Sequence, residues 1–314
     1  MRSLVTGAAG FVGRHLTADL LSRGHRVAGI VHPTDRGGER LGEGVALSVL
    51  DILDDAALGE AVRGFSPDAI FHLAAFSNPE GSWKEARRTL ETNILGAHNV
   101  LQAAAAVETR PTVLLVGSAQ QYGDVPAAEQ PIREDRALQP FTPYAVSKTT
   151  QELLGQRSFR SSELRVLCTR SFNHTGPGQS DAYVCSSLAR QVVEVERGIR
   201  DPVIRVGNLE ARRDFTDVRD VAAAYAAIVE RGSPGRVYNV CSGEAVSIRE
   251  ALDTLIGLAR ARVEVTIDPA RYHSLDVPLL VGDPSRLAED TGWSRRYSFA
   301  ATLRDLLEDW RARL

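Results

Sequence analysis

Thr6-Gly7-Ala8-Ala9-Gly10-Phe11-Val12-Gly13 is the stretch on which the fold turns. A short apolar run, residues 3–5, precedes it, and Phe11, Val12, Leu16, Leu20 and Leu21 follow at helical spacing. Glycines at 7, 10 and 13 between a strand and a helix suit a dinucleotide. They allow a tight turn and close approach of the backbone to a pyrophosphate, and the helix N-terminus attracts the anion.

Working outward, Arg26–Val31 reads as the second strand. An acid at the end of this strand commonly holds the adenosine ribose hydroxyls. Here the run is His32-Pro33-Thr34-Asp35-Arg36, with no acid directly at the strand end. Arg14 and Arg36 are the nearby cations, and both suit a ribose 2′-phosphate. NADP(H) is therefore preferred as cofactor, with NAD(H) open through Asp35.

Strand and helix then alternate. Val45–Val49 reads as a strand leading to Asp51-Ile52, residues 55–64 as a helix, and Ala69–Ala75 as an apolar strand ending in small residues. Residues 82–106 read as one long helix in which Asn93, among apolar neighbours, ties the helix to a strand near the site. Val113–Val116 is another strand, with Ser118 at its carboxyl end. The alternation predicts a Rossmann-like, doubly wound parallel α/β sheet covered on both faces. His72 is expected in the core.

About 25 residues beyond Ser118 comes Tyr144-Ala145-Val146-Ser147-Lys148, at the start of a helix over 142–157. Positions i and i+4 share a helix face, and an ammonium near a phenol lowers its pKa from a reference of about 10. The pair predicts a tyrosine able to pass a proton near neutral pH.

Composition bounds the rest. The chain has 314 residues, 43% hydrophobic and 25% charged, with a net charge of −3 and no long basic run. That argues against nucleic acid or a membrane as partner. No apolar run reaches the length of a membrane span, and the N-terminal residues lack the pattern of a signal peptide. Cys168, Cys185 and Cys241 are scattered and odd in number, which fits a reducing, cytoplasmic setting. The seven histidines show no metal-ligand spacing, so no metal is expected.

The glycine-rich turn, Ser118 and Tyr144-x-x-x-Lys148 together resemble the extended short-chain dehydrogenase/reductase family. The resemblance implies Ser118, Tyr144 and Lys148 as catalytic triad, Gly7, Gly10, Phe11, Val12 and Gly13 around the pyrophosphate, and Asp51 and Ile52 beside the adenine. Leu73, Ala74, Ala75 and Asn93 would line the rest of the cofactor site. Ser171-Phe172-Asn173-His174-Thr175-Gly176-Pro177-Gly178-Gln179 and the run from Val206 to Val221 are similar to the nucleotide-sugar members. Among these they are most like the GDP-4-dehydro-6-deoxy-D-mannose reductases and the related GDP-mannose 4,6-dehydratases. The likeness implies a nucleotide-diphosphate sugar substrate, GDP-linked by preference. Its contacts would be Ser77, Ser118, Gln120, Asn173, His174, Arg190, Asn208, Arg213 and Asp276. A guanidinium such as Arg213 suits a diphosphate through its bidentate fork. Two positions depart from the family pattern: Ser171, where proline is usual, and His273, where arginine is usual. The resemblance also implies a cofactor domain over 1–170 plus roughly 214–240, a smaller substrate-binding domain over 171–213 and 241–314, and a homodimer through the helices at 82–106 and 142–157.

Reduction, 4,6-dehydration and 4-epimerisation share this scaffold. The dehydratases typically carry a glutamate two residues after the triad Ser/Thr, often preceded by aspartate. Here Ala119 and Gln120 stand there, and neither is an acid or base at neutral pH. The expected reaction is reduction of the C4 keto group of a nucleotide-linked 4-keto-6-deoxyhexose, GDP-4-dehydro-6-deoxy-D-mannose to GDP-D-rhamnose. The alternatives are epimerisation, dehydration, or a protein that senses NAD(P) without catalysis.

Overall fold

The computed structural model describes residues 1–35, 41–77, 81–161, 164–268, 270 and 277–314. The first half runs β1 (Arg2–Thr6), α1 (Phe11–Ser22), β2 (Arg26–Val31), β3 (Val45–Val49), α2 (Asp55–Phe65), β4 (Ala69–His72), α3 (Gly81–Lys84), α4 (Ala86–Leu90), a π-helical turn (Glu91–Leu95), α5 (Gly96–Ala105), β5 (Thr112–Ser118), α6 (Pro143–Ser161) and β6 (Val166–Ser171). The second half adds β7 (Asn173–Thr175), α7 (Val184–Glu196), β8 (Val203–Val206), β9 (Arg212–Asp217), α8 (Val218–Arg231), β10 (Val237–Val240), β11 (Ala245–Ser247), α9 (Ile248–Gly257), β12 (Glu264–Ile267), β13 (Leu279–Leu280), α10 (Ser285–Thr291) and α11 (Phe299–Arg313).

Seven parallel strands form the main sheet in the order β10-β6-β5-β4-β1-β2-β3. From β1 the chain moves to β2 on one side and later to β4 on the other. The carboxyl ends of β1 and β4 thus flank the crevice where such sheets take ligands. Both faces of the strands are apolar. Leu4, Ile70, Val113, Leu115 and Val166 pack with α2 and α5, while Val5, Phe71, Leu114 and Leu167 pack with α1 and α8.

A second, four-stranded sheet joins β11, β9, β13 and β7. A separate core packs α7, α9 and α11 together, and the stripe expected on the last helix is buried there through Leu303, Leu306, Leu307 and Trp310. Ser247 and Glu250 cap α9 reciprocally.

Two expectations need correction. The strand expected over Ala69–Ala75 ends at His72, and Leu73–Ala75 leave the sheet as a loop. The helix expected over 82–106 is broken into α3, α4, the π turn and α5. One wide turn adds a residue without disturbing the apolar spacing on either side, so periodicity does not register it.

Candidate active site

The glycine turn is built for a close neighbour. Gly7 has φ +69°, and a Cβ there would sit 2.9 Å from Ala74 N. A Cβ on Gly13 would sit 2.2 Å from Gly7 O. Helix α1 starts at Gly10 with no side-chain cap and no acid in its first turn. Its leading N–H groups therefore favour an anion. Leu73–Ala75 run alongside, held by Ala74 N donating to Thr6 Oγ1 at 3.2 Å. His72 is buried, pairs through Nδ1 with the same Thr6 hydroxyl at 2.9 Å, and is pushed down to about 3 by burial.

Ser118, Tyr144 and Lys148 meet at the end of β5. Pro143 opens α6, and Tyr144, Lys148, Gln151, Glu152 and Gly155 form its buried face. The Ser118 side chain lies close enough to Tyr144 to favour its ionised form. Burial pushes the phenol up to about 12, against that downward pull. This corrects the expectation of a phenol lowered by its lysine. The Lys148 ammonium donates to Val116 O (2.8 Å) and Gln151 Oε1 (3.1 Å), and burial lowers it to about 7. Desolvation outweighs the i+4 neighbour for both groups. Asn93 sits in the π turn, fully buried. Its Nδ2 donates to Ser147 Oγ (2.8 Å) and Phe76 O (3.2 Å), and its Oδ1 accepts from Phe76 N (2.7 Å). It ties the loop after β4 and α6 to the π turn; its partners are a loop and a helix, not the strand expected.

With this geometry in view, comparison with known proteins is decisive. The sequence profile described as GDP-mannose 4,6 dehydratase matches residues 4–306. The chain belongs to that family. It is 36% identical over 313 residues to the GDP-6-deoxy-D-mannose reductase of Pseudomonas aeruginosa, covering 100% of this chain and 98% of the relative. A solved structure described as RMD from Pseudomonas aeruginosa complexed with NADPH superposes with a TM-score of 0.86 at 34% identity, with all of both chains covered. The UDP-glucose 4-epimerase of Thermus thermophilus, solved with NAD, gives 0.87 at 29% identity, again over all of both chains.

The other residues expected from this dehydratase-family likeness are placed unevenly. Phe11 stacks on His174 with ring centroids 6.1 Å apart, His15 Nε2 donates to Pro177 O (2.9 Å), and Arg14 donates to Gly178 O (3.1 Å). The start of α1, which follows the glycine turn, and residues 174–178 therefore pack directly on each other. Arg14 faces the second half through this bond. Arg36 and Asp276 lie outside the described residues, as does His273. At the end of β2, His32 Nε2 lies 3.5 Å from Asp51 Oδ2, and Asp51 Oδ1 accepts from Leu53 N (3.0 Å). Ile52 is buried. Ser77 and Asn173 are exposed, and Gln120 is half-buried just beyond Ser118. Asn208 Oδ1 accepts from Glu210 N (3.0 Å), and Arg213 Nη1 donates to Arg212 O (2.9 Å) and to Val277 O. Arg190 is already ion-paired with Glu194 at 2.7 Å and with Asp181, over the Trp310 ring. A cleft of about 580 Å³ lined by Gln130, Arg212 and Leu279 contains none of the triad.

Sequence reading missed Tyr183, the N-cap residue of α7, near enough to Tyr144 to disfavour ionisation of both phenols together. It also missed the buried set behind Ser118: Gln121, Glu152 and Arg170. A glutamate at the i+8 position from the tyrosine, on the same helix face, was the available signal. Ser171, the departure from the family pattern, places its hydroxyl 2.7 Å from the Tyr225 hydroxyl. Among the described residues no group of three or more His, Cys, Asp or Glu is arranged to hold a metal ion, and no helix is long and apolar enough to cross a membrane.

Proposed function

We propose that this chain reduces the C4 keto group of a nucleotide-linked 4-keto-6-deoxyhexose, GDP-4-dehydro-6-deoxy-D-mannose to GDP-D-rhamnose, using NADPH. The observation that carries the reading is the 36% identity over the whole chain to the Pseudomonas aeruginosa reductase; burial keeps the Tyr144 phenol protonated, as a proton donor requires. Reduction needs an acid at the developing alkoxide, and this phenol is that acid. Epimerisation and dehydration begin with oxidation, which needs the phenolate as base. Ala119 is buried and Gln120 uncharged, so neither supplies the dehydratase's further acid or base.

The residues present fit a pyridine dinucleotide. The turn Gly7–Gly13 and the uncapped start of α1 would hold its pyrophosphate, with Asp51, Ile52, Leu73, Ala74, Ala75 and Asn93 around it. When bound, the reduced nicotinamide supplies a hydride to the substrate's C4 carbon. Tyr144 gives its proton to the C4 oxygen. Ser118 hydrogen-bonds that oxygen and orients it against the phenol. Lys148, fixed on Val116 O, holds its amine beneath the tyrosine's turn of α6. NADP(H) is preferred over NAD(H) because His32, not an acid, ends β2.

Residues 1–170 with roughly 214–240 serve the cofactor, and 171–213 with 241–314 serve the sugar nucleotide. The seven-stranded sheet uses β1–β6 and β10, in keeping with that division, whereas β9 of the second sheet, Arg212–Asp217, crosses its boundary. Arg213 would hold the diphosphate and Asp276 the nucleoside, with Ser77, Gln120, Asn173, His174 and Asn208 nearer the sugar. Arg190 would have to exchange Asp181 for substrate.

The test is NADPH consumption with GDP-4-dehydro-6-deoxy-D-mannose and with UDP-linked 4-keto sugars, the product's C4 configuration being read by NMR. Turnover of the GDP sugar that falls by at least about 10²-fold in Tyr144→Phe, with NADPH binding retained, is expected. Interconversion of nucleotide sugars without net NADPH consumption would overturn the reading in favour of an epimerase.

A further inference from the structure

Gln121 is wholly buried in the turn that follows Ser118. Its Oε1 accepts from Ser118 N at 2.9 Å, and its Nε2 donates to Glu152 Oε2 at 2.8 Å. A backbone N–H only donates and a carboxylate only accepts, so the amide has one possible orientation. Glu152 is in turn held by Arg170, Nε to Oε2 at 2.9 Å and Nη2 to Oε1 at 2.6 Å. The remaining Arg170 Nη1 donates to Tyr122 OH and to Glu134 O, each at 3.0 Å. Both charges of the pair are buried.

Glu152 lies on the same buried face of α6 as Tyr144 and Lys148. The hydrogen bonds therefore run without a break from the helix that carries the phenol to the backbone of the serine that meets it. Ser118 itself is extended, φ −145° and ψ 145°, and its Oγ also accepts from Gln120 N at 3.3 Å. Rotation of the Ser118 peptide would swing that hydroxyl away from Tyr144, and Gln121 opposes it at the point where the β5–β6 ladder ends with Ser118 against Ser171. We infer that Gln121, oriented by the buried Glu152–Arg170 pair, is a positioning residue that sets the Ser118 hydroxyl against Tyr144. The inference rests on the reading of Ser118 and Tyr144 as the reacting pair.

An apolar side chain of similar size at 121 leaves Ser118 N–H and one Glu152 oxygen buried and short of a partner. The turn then relaxes to satisfy them. A protonated glutamate at 121 restores both contacts, with its carbonyl to Ser118 N–H and its hydroxyl to Glu152. An ionised one faces Glu152 as a like charge, with Arg170 the only cation in this hydrogen-bonded set and Tyr122 and the Glu134 carbonyl on its far side.

The experiment is a double-mutant cycle on the full chain, read with NADPH and GDP-4-dehydro-6-deoxy-D-mannose. Gln121→Leu should lower kcat roughly 10- to 100-fold with KM for NADPH unchanged. It should also move the basic limb of the kcat profile to higher pH, because Ser118 no longer lowers Tyr144. In the Ser118→Ala background the same substitution should have no further effect. Gln121→Glu should regain activity as pH falls, which also serves if Gln121→Leu does not fold. Losses that add across the cycle, or that track melting temperature with the pH profile unmoved, overturn the inference. A Gln121→Glu variant indifferent to pH overturns it as well. A neutral Ser118→Ala instead overturns the underlying reading of Ser118, so the two failures are told apart.

Discussion

Lys148 Nζ donates to the carbonyl oxygen of Val116 at 2.8 Å, so the amine is anchored on β5. Burial lowers this lysine from 10.5 to about 7. Between pH 7 and 10.5 the unfolded chain keeps a proton that the folded protein has lost, so this group makes stability rise with pH in that window. The slope for one such group is up to about 1.4 kcal/mol per pH unit. Urea unfolding of the cofactor-free protein at pH 7, 8 and 9 should show the rise, and Lys148→Met should flatten it. An unchanged slope in Lys148→Met would assign it elsewhere.

The sign is also set for His72, lowered to about 3 by burial, with the Lys148 charge adding to the effect. As pH falls from 6.5 toward 3, the unfolded chain gains a proton that the folded protein refuses. Stability is lost at up to about 1.4 kcal/mol per unit. His72→Asn should lose stability less steeply than wild type over roughly pH 6.5 to 4.5, measured by thermal melts. Parallel curves would refute this.

Asn93 satisfies both the N–H and the C=O of Phe76 and reaches Ser147. Asn93→Ala strands these groups in the interior, at about 1–3 kcal/mol for each left unsatisfied. Amide exchange at Phe76 should accelerate by roughly tenfold or more in the variant. Protection equal to wild type would show that the loop after β4 is held by other means.

Ser171 and Tyr225 hydroxyls are mutual partners at 2.7 Å, both buried. Ser171→Ala leaves the Tyr225 hydroxyl with a lost bond and should destabilise by about 1 kcal/mol or more. The Ser171→Ala, Tyr225→Phe double variant should be less destabilised than the sum of the singles. Strict additivity in denaturant titrations would dissolve the pairing.

A homodimer is the remaining proposal. Leu95 is 50% exposed, and Val146 and Leu153 on α6 are 40% and 57% exposed, an apolar surface turned outward from packed helices. Leu153→Glu should shift the protein toward monomer in light scattering and lower its melting temperature. A wild-type monomer at micromolar concentration would end the proposal.

The strands Arg26–Val31, Val45–Val49 and Val237–Val240 were legible to the residue, because apolar runs between polar turns leave little choice. That Ser118, Tyr144 and Lys148 gather near the end of β5 was legible through the order of the glycine turn, Ser118 and Tyr144-x-x-x-Lys148, not from the pair alone. Their titration was not. Spacing along a helix tells that two groups share a face, but not how much water the fold removes from each, and for Tyr144 and Lys148 that removal dominates. Arg190 illustrates a second limit: a cation read from sequence has no visible partner, and Asp181 and Glu194 emerge as its partners only in three dimensions. Gln121 belongs to no motif in the sequence, and its two hydrogen bonds exist only in three dimensions.

Helix α6 is built inside out. Lys148, Gln151 and Glu152 reach β5, β6 and the turn after β5, and Ser147 meets Asn93 in the π turn, while Val146 and Leu153 face away. Apolar burial on its inner side comes mainly from small residues, with Ala145 buried and Gly155 against Leu115 and Val166. The carboxyl end of β5, the turn after it and β6 offer Val116 O, Gln121 and Arg170 as partners to its polar side chains. A helix docked by polar bonds predicts that order spreads from sheet to helix during folding, the phenol and amine taking their places after the strands that receive them. Substitutions that weaken this face should hasten unfolding while leaving the folding rate nearly untouched.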